Sequence, residues 1–131
     1  MSLPRVYKNA WFQRFARKER ITDTVLCEAV ERANRGLIDA ELGGGVVKQR
    51  IARPGAGRSG GYRALVFFRR GERAVFVFGF AKKDRDNIDA DELAALRKSA
   101  RVVLALPQGA IDVEVASGRL MEVFCGDEEV S

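Results

Sequence analysis

The chain has no histidine. That absence excludes a Ser-His-Asp triad, a Cys-His dyad, paired-histidine acid–base chemistry and most zinc enzymes. Cysteine occurs only twice, at Cys27 and Cys125, with no CxxC. Two thiols so placed are expected to serve ordinary packing in a reducing compartment. No apolar run approaches the roughly 18 residues that a membrane span needs. The N-terminus also lacks the apolar stretch of a secretory signal. The expectation is a cytoplasmic chain with no membrane partner. Any catalysis is left to Lys, Arg, Asp, Glu, Tyr, Ser or Cys.

What remains is the composition of one globular domain, 131 residues long, 47% apolar and 31% charged. The charge is uneven. Residues 102–131 hold six acids and one base, whereas residues 46–85 hold eleven bases and only Glu72 and Asp84 as acids. A basic stretch of that density points to a polyanionic partner, most simply nucleic acid. The competing reading is a solvated basic surface.

Periodicity orders the elements. Pro4–Lys8 reads as a short edge strand. Asn9 then caps a helix carrying Trp11, Phe12, Phe15 and Ala16. A second helix runs from about Thr22 to Asn34, with Val25, Leu26, Ala29, Val30 and Ala33 on one face and Gly36 at its end. The two form a helical hairpin. Leu42-Gly43-Gly44-Gly45 breaks the pattern. Val46–Ala52 then alternates, with Val47, Gln49 and Ile51 on one face and Lys48 and Arg50 on the other. Tyr62–Arg69 and Ala74–Ala81 are apolar central strands joined at Arg70-Gly71-Glu72. A third helix starts at Asp89, with Glu92 completing a capping box, and stops at Pro107. Leu120–Phe124 reads as a short strand, and Gly126–Ser131 as a frayed acidic tail.

Several residues carry candidate chemistry. Gly55–Gly60 spells GxGxxG, but a strand follows it where a dinucleotide fold requires a helix, so no dinucleotide is expected. A hairpin loop whose free N–H groups hold a phosphate beside Arg53 and Arg58 is the alternative to plain flexibility. Arg63 interrupts an apolar strand, and a guanidinium held there requires an anion: a bound phosphate, or a structural carboxylate such as Asp39 or Glu41. Arg69, beside the turn, is expected to be silent to substitution. Lys48, Arg50, Arg63, Lys82 and Lys83 could converge on one face of the sheet. Such a cluster suits cleavage of an RNA phosphodiester. Arginine would stabilise the pentacovalent phosphate, and a lysine crowded by cations would act as base on a 2′-hydroxyl. Trp11, Phe12 and Phe15 read first as core, and second as a stacking platform for bases.

Three stretches in order carry a family resemblance: Gly43–Ala52 (GGGVVKQRIA), Arg58–Arg63 (RSGGYR) and Gly79–Ile88 (GFAKKDRDNI). Over roughly residues 5–106 the chain resembles the RelE/ParE superfamily, the toxin side of bacterial toxin–antitoxin pairs, in its HigB-like branch. The resemblance implies a single RelE-like domain over 1–131, with a core of about 5–106 and an acidic extension over 107–131. It implies an α+β fold: a small twisted antiparallel sheet packed on an N-terminal helical hairpin, with a further C-terminal helix. It implies a ribosome-dependent mRNA endoribonuclease, partnered by a helix-turn-helix antitoxin and using neither cofactor nor metal. Lys48, Arg50, Arg63, Lys82 and Lys83 match the family's catalytic cations, and Arg53, Arg58, Arg85 and Asn87 would flank them on RNA. RelE itself has a tyrosine a few residues on, where this chain has Asn87-Ile88-Asp89. A gyrase-inhibiting role like that of ParE, without catalysis, and a non-enzymatic nucleic-acid-binding module are the alternatives.

Overall fold

The computed structural model describes residues 3–52, 61–81 and 88–125. β1 (Arg5–Asn9) leads directly into α1 (Ala10–Glu19), because the Asn9 side chain accepts from the Phe12 N–H and caps the helix. α1 ends on Arg20, which adopts a left-handed conformation at φ 59°. Thr22 then caps α2 (Asp23–Asn34) through its hydroxyl, which accepts from Val25 N–H. At the far end, Gly36 N–H bonds to Ala33 O and Leu37 N–H to Arg32 O, closing the helix in a Schellman pattern.

Strands β2 (Ala40–Gly43), β3 (Val46–Ile51), β4 (Tyr62–Arg69) and β5 (Arg73–Ala81) follow. The triple glycine is therefore a hairpin turn rather than a bare break. Gly43, Gly44 and Gly45 all take positive φ, a course closed to most side chains. This turn adds β2, an edge strand whose four residues show no strong alternation in the sequence. The remaining elements are α3 (Ala90–Ala105), α4 (Gln108–Ala116) and β6 (Leu120–Val123). α3 begins with the capping box foreseen at Asp89 and Glu92.

The six strands form one sheet in the order β2-β3-β4-β5-β1-β6. The α+β class holds, and four of the five strand pairings are antiparallel. The exception is β1, which runs parallel to β5. β1 is not the expected edge strand, since β5 flanks it on one side and β6 on the other. Val6 and Tyr7, adjacent and both buried, point to opposite faces of the sheet, one into each helical layer.

Two apolar clusters cover the two faces. Val6, Val47, Ile51, Val66, Ala74 and Phe76 pack under α1 and α2 through Phe12, Leu26, Ala29 and Val30. Tyr7, Val46, Phe67 and Val75 pack under α3 and α4 through Ala100, Leu104 and Ile111. The acidic segment after residue 107 thus supplies a helix to one layer and a strand to the sheet.

The cysteines need correction. Cys27 and Cys125 are joined in a disulfide, with Cα atoms 5.6 Å apart. α2 crosses the sheet from β6 to β3, and Cys27 near its start lies beside the residue two positions past β6. A separation of 98 residues conceals that meeting in the sequence. The acidic tail 126–131 lies outside the described residues.

Candidate functional site

The pleat of β3 sorts its side chains. Val47 and Ile51 enter the α1/α2 core, and Gln49 is 3% exposed beneath α2. Lys48 and Arg50, displaced by one, face the opposite side. Arg50 is registered against Arg63 of β4, and Lys48 against Leu65. Residues far apart in the chain therefore present Lys48, Arg50 and Arg63 as neighbours on one face. Arg63 is more enclosed than Lys48, its side chain 11% exposed against 23%.

Asp39, just before β2, is their counter-charge. Its carboxylate lies 3.4 Å from Arg63 Nε and 4.0 Å from Lys48 Nζ. Of the two carboxylates considered for Arg63 from the sequence, Asp39 is the one in contact. Gln49 fixes Asp39 in place. Its amide oxygen accepts from Asp39 N–H at 3.0 Å, and its amide nitrogen donates to Ala29 O and Leu37 O. One buried glutamine thus ties α2, the 37–39 loop and β3 together under the cations.

β2 ends opposite Lys48, so Gln49–Ile51 have no strand beyond them on that side. Arg32 of α2 reaches this bare stretch and donates to the Arg50 carbonyl at 2.5 Å. Burial, and next the charge of Arg50, push the Arg32 guanidinium below its ordinary value. Arg32 gives no signal in the sequence, because its helical period places it beside the apolar face rather than in a basic run. With Leu37, Ile38, Asp39, Gln49, Arg50 and Arg63 it lines a concavity of about 460 Å³.

A second concavity, of about 430 Å³, lies alongside between β4, β5 and α3. Leu65, Phe67, Val77, Phe78, Ile88 and Leu96 make it largely apolar. A bulge shapes its wall: Leu65 pairs with Phe78 but Val66 with Phe76, so Val77 and Phe78 both face it. Trp11 does more than fill core. It is 37% exposed and stacks on Phe78 with ring centroids 4.4 Å apart.

Other cations of the basic segment are structural. Arg73, 8% exposed, donates to Val103 O, Leu106 O and Gln108 Oε1 at the C-terminus of α3, where helix carbonyls concentrate negative charge. Arg69, beside the turn, donates to Leu104 O at 3.1 Å. Lys82, Lys83, Arg53, Arg58, Arg85, Asn87 and the GxGxxG loop lie outside the described residues.

No helix among the described residues is long and apolar enough to cross a membrane. No curated protein matches the chain. A family model does match, over residues 4–123: the RelE toxin of the RelE/RelB toxin–antitoxin system. The matched span runs from the start of β1 to the end of β6, so it takes in both helical layers and the whole cationic face. With its six-stranded sheet and that match over nearly all its length, the chain belongs to the RelE toxin family, and its place is the toxin side of a toxin–antitoxin pair.

Proposed function

We propose that the protein is a ribosome-dependent mRNA endoribonuclease of the HigB-like branch, acting in the cytoplasm and held in check by a helix-turn-helix antitoxin. The observation that carries this reading is the convergence of Lys48, Arg50 and Arg63 on one sheet face, with Asp39 beside Lys48 and Arg63, in a chain of the RelE family. Without histidine, the chain has cations and not imidazoles to offer a phosphodiester. In this reading Arg63 faces the phosphate undergoing attack. Its position between buried neighbours limits water and strengthens its hold on developing negative charge. Lys48 and Arg50 hold the phosphate oxygens. Lys82 and Lys83 complete the catalytic cations, while Arg53, Arg58, Arg85 and Asn87 follow the RNA strand. The ribosome supplies what a flat cationic face lacks, namely an RNA backbone held in line for attack.

Translation in a cell-free system, with breaks mapped by primer extension, tests the reading. The wild-type chain should break mRNA under translation and spare the same RNA without ribosomes. Efficient cutting of naked RNA would overturn the ribosome-dependent mechanism. Intact mRNA with loss of gyrase supercoiling would replace it with the ParE-like role. Intact mRNA with retained RNA binding would leave a binding module.

A further inference from the structure

We propose that the concavity between α2 and β3 is a phosphate subsite for the RNA strand, with Arg32 as the residue that makes it one. The proposal rests on the nuclease reading for its ligand, but on separate observations for its geometry. Arg32, Arg50 and Arg63 line one cavity of about 460 Å³, and Asp39 is its sole carboxylate among the described residues. That carboxylate already faces Arg63 and Lys48. Neither Arg32 nor Arg50 forms an ion pair among the described residues, so the cavity keeps an excess of positive charge.

The arrangement is held in place before any ligand arrives. Arg32 is pinned by its bond to the Arg50 carbonyl, and Gln49 braces the opposite wall through three hydrogen bonds. A guanidinium anchored through one nitrogen still presents other N–H groups in a planar fork, the geometry that matches phosphate oxygens. The bare edge of β3 past Lys48 explains why a side chain from α2 can enter here at all. The site also suits phosphate better than a docked peptide. Its apolar lining is confined to Leu37 and Ile38, whereas the extended apolar surface lies in the groove beside α3. The subsite adjoins Arg50 and Arg63, so it would take a phosphate next to the one attacked.

The test measures binding of a short fluorescein-labelled single-stranded RNA to the full chain across a salt series. Each phosphate contact contributes about 0.7 to the slope of log affinity against log salt. Arg32→Ala should weaken binding about tenfold and flatten the slope by about that amount. Arg32→Gln keeps a donor for the Arg50 carbonyl but not the charge, and should do the same with an unchanged circular dichroism spectrum. Arg32→Lys should keep most of the slope, and Arg101→Ala on α3 should leave it unaltered. An unchanged slope in Arg32→Gln overturns the subsite, and so does a loss confined to binding of an oligoglutamate peptide. The nuclease reading fails separately. A wild-type chain that leaves translated mRNA intact refutes that reading, yet a slope that still falls in Arg32→Gln upholds the phosphate subsite.

Discussion

At the scale of single residues, two arginines only ten positions apart do opposite work. Arg63 lies on the cationic face beside Asp39, whereas Arg73 turns into the molecule and closes the carbonyls of α3. Arg63→Ala should lower mRNA cleavage by about 10²–10³, the usual cost of losing one donor to developing charge. Its melting temperature should move by only a few degrees, since a partly exposed ion pair contributes little, about 0–1 kcal/mol. Arg73→Ala should do the reverse. It leaves buried carbonyls without donors and should cost about 2–4 kcal/mol in urea unfolding, with RNA affinity retained by the folded fraction. Equal stability losses in the two variants would contradict this division. Asp39→Asn should raise RNA affinity several-fold and steepen its salt dependence, because it removes the carboxylate competing for Lys48 and Arg63. A binding isotherm identical to wild type would show that Asp39 does not restrain them.

At the scale of elements, local signals were legible and distant partners were not. Asn9, Thr22 and Asp89 mark three helix starts because a cap acts within three residues of itself. Lys48 and Arg50 could be assigned to one strand face because the pleat has a fixed period. β2 and α4 escaped, since one is four residues beside a glycine turn and the other carries no capping side-chain bond. Arg32 escaped because nothing in the sequence says that β2 stops short and bares β3. The partners of Arg69 and Arg73 on α3 were equally hidden, because they lie thirty or more residues away. Two substitutions test the elements as built. Arg20→Gly should stabilise by about 1 kcal/mol, because glycine takes the left-handed end of α1 without penalty. Gly79→Ala should destabilise by about 1–3 kcal/mol, since its Cβ would stand 2.5 Å from the Phe15 ring. Calorimetric melting separates the two by sign.

At the scale of the whole molecule, the disulfide closes most of the chain on itself. A cross-link over about 100 residues restricts the unfolded chain enough to stabilise the fold by about 4.7 kcal/mol in the chain-entropy description. The span from Cys27 to Cys125 is 98 residues. Reduction, or Cys27→Ser with Cys125→Ser, should therefore remove about 4–5 kcal/mol from urea unfolding, a large share of an ordinary domain's stability. A midpoint indifferent to dithiothreitol would contradict it. Under reducing conditions the fold should therefore persist less well than under oxidising ones.

The place of β1 in the sheet bears on how the protein is made. Residues 5–9 leave the ribosome well before their partners, residues 73–76 and 120–123. At about 5–20 residues per second, β1 waits several seconds for β5 and longer for β6. Through that interval the nascent chain has a first strand with both flanks bare and a β3–β4 ladder with nothing behind it. A product ending before residue 73 lacks β5, the strand that joins β4 to β1, and one ending before residue 120 leaves β1 as an open edge, exposed to proteolysis and to pairing with other chains. The six-stranded sheet is complete only once residues 120–123 have been made.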